Sequence, residues 1–214
     1  MHPNSETAVQ GFLAETRKIS DPKQRLERLE SSEFSEQPAI KAAIAWWAAR
    51  YHFTDKKKTR TGDRFLWFLL NLKSWANNVP TVKEKQVVAA YKEAFLSSEV
   101  EQAIALDNRI EEEMLDACVL YLETIDTNPG FLGFKIGKAP DKSDTLKRVA
   151  AIVTRDLIAG VYAGCASLKH SDVLVRCLWK GAEQTNPGIA GTIEAMVREY
   201  DSEQMRDFVL RAVN

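Results

Sequence analysis

The sequence predicts an all-α protein of about eight to ten helices, packed as an antiparallel multi-helix bundle or as an irregular α–α array. Helix-start signals recur along the 214 residues, apolar residues repeat at spacings of three and four, and alternating strand patterns are nearly absent. Apolar residues make up 45% of the chain and charged residues 28%, as in folded globular proteins. A chain of this length can bury a substantial core, so we expect a single helical domain over residues 1–214.

The first two strongly predicted helices begin at proline residues. Asp21 followed by Pro22 supplies a cap and a first helical residue at the start of "DPKQRLERLESS". A helix from Pro38 to Phe53 has two apolar faces, so we expect it to pack on two sides. One face comprises Ile40, Ala43, Ile44, Trp47 and Tyr51, and the other comprises Ala42, Ala45, Trp46, Ala49 and Phe53.

A further central helix is predicted from Asp63 to about Asn77, because it opens with six consecutive apolar residues at positions 65–70. The segment "NNVPT", residues 77–81, follows it. Its asparagines and Pro80 disfavour continued helix, which makes this segment the best candidate for an internal joint in the domain.

Two capping boxes predict helix starts after this joint. Thr81 pairs with Glu84 and Ser98 pairs with Glu101, each at the spacing that lets two side chains satisfy two backbone N–H groups. From the second box we expect one long helix, Glu99 to about Ile125, with an apolar stripe and an acidic face.

Glycines mark two further features of the second half. A helix from about Ser143 to Cys165 contains Gly160 and Gly164 one turn apart, which predicts the close approach of another helix. The letters "TNPG" occur at 127–130 and again at 185–188. An internal repeat is one interpretation, but the simpler one is that each asparagine caps a helix and each proline takes its first position.

Charge and cysteine usage indicate the compartment and the class of partner. The formal charge is 29 minus 30, or −1, so the chain has no overall attraction to nucleic acid or anionic lipid. The sequence has no signal-peptide pattern and no apolar run near the ~18 residues that cross a bilayer. Cys118, Cys165 and Cys177 lie in apolar helical patterns, as buried reduced thiols do. We expect a cytoplasmic protein that does not bind a membrane and for which a nucleic-acid partner is disfavoured.

The segment "TDKKKTRTGDR", residues 54–64, concentrates positive charge between two aromatic-rich helices. Asp55 and Asp63 oppose five basic residues, so the local charge is 5 minus 2, or +3. The basic residues are Lys56, Lys57, Lys58, Arg60 and Arg64. Lysines beside exposed rings hold single-stranded nucleic acids, but most of the neighbouring rings fall at core positions. A solvated corner is the favoured interpretation, and weak binding of a nucleic acid or another anion, or of an acidic protein, is the alternative.

Negative charge concentrates between Glu99 and Asp116, where one basic and seven acidic residues give 1 minus 7, or −6. Helical spacing places Asp107 beside Glu111 and Glu112 beside Asp116. A solvated acidic face is the simplest interpretation, and a docking surface for a basic partner is a second. Paired carboxylates also bind Mg²⁺, so a further alternative is a metal-dependent enzyme acting on a nucleotide or phosphate substrate.

The sequence contains no motif that identifies a catalytic mechanism. A nucleophile elbow, a Walker loop and a dinucleotide fingerprint are all missing, and "GFLGFKIGK", residues 130–138, alternates glycine with bulky apolar residues. We therefore predict no cofactor. The favoured function is a non-catalytic cytoplasmic helical protein-interaction module, whose partner is another protein or a second copy of the chain.

Three sequence blocks carry a resemblance to a known family. The blocks "RFLWFLLNLKSWANN", "TNPGFLGFKIGK" and "LWKGAEQTNPG", within roughly residues 60–190, are similar to those of an uncharacterised bacterial family of all-helical proteins, a domain of unknown function. The resemblance implies a helical fold and a bacterial source. It implies no activity, cofactor or catalytic residue.

Overall fold

The structure is a computed structural model that describes residues 3–53, 66, 68, 69, 82–127 and 142–214. Within these ranges the regular elements are all α-helices, so the predicted all-α class is confirmed. The helices with described bounds are α1 (Pro3–Thr16), α2 (Pro22–Glu30), α3 (Pro38–Phe53), α4 (Val82–Phe95), α5 (Glu99–Leu106), α6 (Arg109–Thr127), α7 (Lys142–Cys165), α8 (Ser171–Thr185), α9 (Ala190–Arg198) and α10 (Glu203–Val213).

The chain divides into two compact units. Unit 1 comprises Met1–Thr54, Leu72–Glu112 and Ser167–His170, and unit 2 comprises Asp55–Asn71, Glu113–Ala166 and Ser171–Asn214. Helices α1 to α5 and the start of α6 therefore belong to unit 1, and the rest of α6 with α7 to α10 belongs to unit 2. The expectation of one domain over residues 1–214 stays a prediction. The predicted joint at 77–81 lies outside the described residues.

Helix α3 is the centre of unit 1. It packs against α2, α4 and α5, and nine of its sixteen residues are buried. Trp46 and Trp47 are each at most 1% exposed. The ring centroid of Trp46 lies 6.4 Å from that of Tyr91 and 5.9 Å from that of Phe95, both on α4. The predicted packing of this helix on two sides is confirmed. Rings of this size bury enough apolar surface to fix the neighbouring helices against α3.

Two of the three described helices that pack against α3, namely α2 and α4, run antiparallel to it. The Arg25 guanidinium on α2 lies 4.4 Å from the centre of the Trp47 ring, and only residues 31–37 join the two helices. On the other side of α3, His52 near its C-terminal end lies close enough to Lys83, at the start of α4, for the lysine charge to lower the pKa of the histidine. The C-terminal ends of α2 and α4 therefore lie beside the N-terminal end of α3.

Of the three predicted caps, one is confirmed, one is wrong, and the one at Thr81 lies outside the described residues. Asp21 caps α2, because its side chain accepts a 2.8 Å hydrogen bond from the backbone N–H of Gln24, and Pro22 is the first helical residue. Ser98 precedes α5 but makes no side-chain capping bond, since its backbone is already helical, with φ −70° and ψ −20°. A capping serine needs an extended backbone to turn its hydroxyl toward the helix N–H groups.

The expected single helix from Glu99 to Ile125 is two helices, α5 and α6, so that prediction is wrong. The break is at Asp107, whose backbone leaves the helical region with φ −113° and ψ 78°. The cause is its side chain, which turns inward to Arg25 and Trp47, while its backbone carbonyl accepts a 3.0 Å hydrogen bond from the N–H of Ile110 in the first turn of α6.

In unit 2, α8 packs against both α7 and α10, and α7 matches the helix predicted from about Ser143 to Cys165. Of the helix predicted from Asp63 to Asn77, the structure describes three helical residues, Leu66, Phe68 and Leu69, and each is fully buried. The thiol of Cys165 donates a 3.1 Å hydrogen bond to the carbonyl of Leu69. This contact joins the predicted central helix to the end of α7.

Among the described residues of unit 2, a close helix approach is seen at Gly181 and none at Gly160. A Cβ on Gly160 would have no described atom within 4 Å, so the expectation is not met at that residue, and for Gly164 it stays a prediction. A Cβ on Gly181 of α8 would lie 3.3 Å from the Cβ of Cys118 and 3.4 Å from the nitrogen of Val119 in α6. Gly181 therefore lets the α8 backbone reach α6, and the sequence pattern did not single it out.

The second "TNPG" does not start a helix in the way that the simpler interpretation predicted. Thr185 ends α8, Gly188 adopts a left-handed φ of 84°, and α9 begins only at Ala190. The N–H groups of Gly188 and Ala190 donate instead to the Glu183 carboxylate, at 2.7 and 3.0 Å. The last turn of α8 therefore supplies the cap of α9. The first "TNPG" lies almost wholly outside the described residues.

We expect opposite effects from adding a side chain at the two glycines of unit 2. Gly160→Ala should raise the free energy of unfolding by about 0.5 to 1 kcal/mol, because alanine favours helix and open space receives the methyl group. Gly181→Leu should lower it by about 1 to 3 kcal/mol, because the side chain would meet α6. Urea denaturation measures both, and equal effects at the two sites would contradict the packing at Gly181.

Candidate functional site

The two clusters predicted from charge have different outcomes. The basic corner, with Lys56, Lys57, Lys58, Arg60 and Arg64, lies outside the described residues, so anion binding there stays a prediction. In the acidic cluster, Glu112 and Asp116 are exposed on α6, while Glu111 is half-buried. In the described part of the chain, no group of three or more His, Cys, Asp or Glu side chains is arranged to hold a metal ion. The metal role of Glu111, Glu112 and Asp116 stays a prediction.

Asp107, the fourth residue of the acidic cluster, belongs to a buried charge cluster in unit 1. Its carboxylate lies 3.4 Å from Nη2 of Arg25 and accepts a 3.1 Å hydrogen bond from Nε1 of Trp47. Arg25 and Asp107 have fully buried side chains. Nearby, Nη2 of Arg17 donates a 2.6 Å hydrogen bond to the Leu106 carbonyl at the end of α5. Asp107 therefore joins α2, α3 and α5, and a metal ion would have to displace these donors.

Burial and the neighbouring donors act on the Asp107 carboxyl in opposite directions. Burial raises its pKa above the ordinary value of 3.8, while the Arg25 guanidinium, the Trp47 indole N–H and the Arg109 backbone N–H lower it. Burial is the larger effect. A buried ion pair adds little stability over an apolar pair, but removing one partner leaves the other charge uncompensated.

A second buried polar group of unit 1 lies beneath α4. Nε2 of His170 and the hydroxyl of Tyr91 share a 3.2 Å hydrogen bond, and the His170 ring packs edge-on against Phe95 at 4.9 Å. Nδ1 of His170 is buried and has no hydrogen-bond partner among the described residues. Burial lowers the pKa of His170 to about 3. The imidazole is therefore neutral at physiological pH, and it serves packing in this position.

Unit 1 contains a groove of about 1070 Å³ along α3, which we call the α3 groove. Helices α2 and α4 form its two walls, and residues at the ends of the neighbouring segments complete it. Small and medium apolar side chains line its interior, namely Leu26, Ala42, Ile44, Ala45, Ala48, Val87, Ala90 and Ala94. Charged side chains line its rim, namely Lys23, Glu27, Glu30, Glu36, Lys41, Lys83, Glu93 and Glu99, together with His52.

The two ends of the α3 groove differ in charge. At the end formed by the C-terminal ends of α2 and α4, Glu30, Glu93 and Glu99 take part in no ion pair within the described ranges. At the opposite end Lys83 lies near His52, whose pKa is lowered by burial and by the Lys83 charge. The groove thus has an acidic end and a weakly basic end.

Other rim charges are already paired along the same walls. Lys23 lies 3.6 Å from the carboxylate of Glu27, and Lys41 lies 2.7 Å from that of Glu36. All four side chains are more than half exposed, so each pair adds little to stability. Within the described ranges, the carboxylates of Glu30, Glu93 and Glu99 and the ammonium group of Lys83 are therefore the main rim charges that a ligand in the groove would meet.

The sequence predictions did not find the α3 groove, although one signal was present. Ala42, Ala45 and Ala48 repeat at a spacing of three on α3, and Ala90 and Ala94 at a spacing of four on α4. Alanine at these spacings leaves a helix face shallow, which is a property of grooves as well as of tight helix contacts. The apolar pattern alone cannot distinguish the two.

Residues 17–155 match a protein-family model described as "Family of unknown function (DUF6553)". The match covers 139 of the 214 residues and includes every residue that lines the α3 groove, as well as Arg25 and Asp107. No curated protein and no solved structure matches the chain. A search of the helices in the described ranges found none with the length and apolar character needed to cross a membrane.

Removing the Asp107 carboxylate should destabilise the fold strongly. Asp107→Ala leaves the Arg25 guanidinium buried without its charge partner, so we expect a loss of about 3 to 5 kcal/mol in the free energy of unfolding. Asp116→Ala, on the exposed face of α6, should cost less than about 0.5 kcal/mol. Urea denaturation followed by tryptophan fluorescence measures both, and equal losses would contradict the role of Asp107.

His170 should make stability depend on pH. Its folded pKa of about 3 lies below the ordinary value of 6.5, so the stability it contributes is present above pH 6.5 and is lost as the pH falls toward 3. We expect it to lower the free energy of unfolding by about 2 kcal/mol between pH 7 and pH 5. Comparing this fall with that of His170→Gln isolates the residue, and identical falls would show that His170 titrates normally.

Proposed function

The chain belongs to the DUF6553 family, whose function is unknown, and we propose that it is a non-catalytic protein-interaction module that binds an amphipathic helix of another protein in the α3 groove. The observation that carries the proposal is the groove itself, with an interior of small apolar side chains and a charged rim. A helix that lays its apolar face into such a groove is a common mode of peptide recognition.

The size of the α3 groove supports a helical ligand. A helix with its side chains is about 10 Å across and rises about 1.5 Å per residue. A volume of about 1070 Å³ therefore holds about 14 Å of helix, or about nine residues. That length gives between two and three turns, enough to present apolar residues at positions i, i+3, i+4 and i+7.

The alanines of the groove support close docking. Where the facing side chains are small, two helix axes approach to the short end of the usual range of about 8 to 10 Å. Ala48 on α3 and Ala90 on α4 both line the groove and remain partly exposed. Large apolar residues of the partner, such as leucine, would fill the space between them and gain burial without displacing any side chain of the groove.

The rim charges support a basic partner. Three lysines and five glutamates give the rim 3 minus 5, or −2, with histidine neutral. Lysine or arginine beside the apolar stripe of the partner helix would be attracted to this rim, which raises the rate of association and excludes acidic helices. The expected ligand is therefore an amphipathic helix with basic residues beside its apolar face.

A cytoplasmic location and a bacterial source are part of the same proposal. Cys118, Cys165 and Cys177 are buried free thiols, which suits a reducing compartment. The bacterial source is supported by the sequence blocks that resemble an uncharacterised bacterial family.

Filling the α3 groove with a large side chain should weaken the binding of a helical peptide. The probe is a fluorescein-labelled 15-residue helical peptide with leucines along one face and lysines beside them, and fluorescence anisotropy measures its affinity. Ala90→Trp places a large ring in the groove, so we expect at least a tenfold loss. Ala89→Trp is the matched control, because Ala89 is equally exposed on α4 but does not line the groove. It should leave the affinity unchanged within about twofold.

Two outcomes of this experiment would overturn the proposal. One is equal binding by the two tryptophan variants, which would put the peptide elsewhere on the chain. The other is a dimer of the chain, seen by sedimentation equilibrium, that Ala90→Trp dissociates and Ala89→Trp does not. In that case a second copy of the chain, and not another protein, would occupy the groove.

A further inference from the structure

We infer that the partner helix binds in one direction, with its N-terminal end at the acidic end of the α3 groove and its C-terminal end beside Lys83, and that its basic residues lie in its N-terminal half. This inference rests on the proposed function and adds the orientation and charge pattern of the ligand. Such a helix runs parallel to α3 and antiparallel to both walls of the groove.

The unpaired rim charges favour this direction. Glu93 and Glu99 mark one end of the groove together with Glu30 across it, and Lys83 marks the other end. Lysine or arginine in the first turns of the ligand would meet the three carboxylates, and an acidic residue in its last turn would meet Lys83. In the reverse direction the same ligand would place like charges together, which costs affinity.

The backbone ends of the walls favour the same direction. Helices α2 and α4 end at Glu30 and Phe95, so both present their C-terminal carbonyl groups at the acidic end. The C-terminal end of a helix carries a partial negative charge, and the N-terminal end carries a partial positive charge. The positive end of the ligand therefore meets the negative ends of two wall helices. Among the described helices, α3 beneath the groove and α5, which begins at Glu99, have their positive ends there and offset part of this attraction.

Two peptides of identical composition test the direction. Both carry the same leucine face; the Lys-first peptide has lysines in its N-terminal third and glutamates in its C-terminal third, and the Glu-first peptide has them exchanged. We expect the Lys-first peptide to bind the native chain about tenfold more tightly at low salt, and the difference to shrink as salt screens the charges. Free in solution the Glu-first peptide is the more helical, so helix preference alone predicts the opposite order.

Charge-exchange variants separate the groove from the rest of the surface. Exchanging Glu93→Lys and Lys83→Glu together should invert the order of the two affinities. The control exchanges Glu101→Lys and Lys85→Glu, which are exposed on α5 and α4 outside the groove, and should leave the order unchanged.

A photoreactive group gives the direction without reference to affinity. Attached to the N-terminus of the Lys-first peptide, it should crosslink to the chain between Tyr91 and Glu99; attached to the C-terminus, it should crosslink between Val82 and Gln86. Crosslinks in the opposite arrangement, or equal affinities of the two peptides, would overturn the direction and leave helix binding intact. Failure of both peptides to bind the native chain would overturn the proposed function and this inference with it.

Discussion

The structure of unit 1 depends on one buried carboxylate, that of Asp107. It binds Arg25 on α2 and Trp47 on α3, and it lies where α5 ends. A charge removed from water must keep its partners, because each one lost costs several kcal/mol. Helix α2 therefore cannot slide along α3 without separating Arg25 from Asp107. Apolar contacts alone would tolerate such a shift more easily, since they have no preferred direction.

The α3 groove follows from this constraint together with a different one on the opposite side. The Arg25 and Asp107 pair fixes the α2 wall. The α4 wall is held by rings: Tyr91 stacks on Phe95 with centroids 4.1 Å apart, and both contact Trp46. Between two walls fixed by large groups, the alanines of α3 leave space that neither wall can close. A groove built in this way is preformed, which would lower the cost of the helix binding that we propose.

Local signals in the sequence predicted local structure well. Asp21 with Pro22 started α2, and the two apolar faces of Pro38–Phe53 predicted a helix packed on both sides. The features that sequence patterns missed depend on residues far apart in the chain. Asp107 breaks the predicted helix because its side chain contacts Arg25, 82 residues earlier. Gly181 is needed because the α6 backbone approaches α8 closely at that residue. The groove is missed for the same reason, because alanines on α3 and α4 indicate a groove only when the relative positions of the two helices are known.

Hydrogen–deuterium exchange can locate a helical ligand on the chain and so test whether it binds in the α3 groove, as we propose. Exchange of the native chain is measured with and without saturating Lys-first peptide, and the change is mapped along the sequence. We predict slower exchange in α2 and α4, whose residues form the walls, and no change in α9 and α10. Protection confined to α9 and α10, or no protection anywhere while the peptide is bound, would show that the peptide does not bind in the α3 groove.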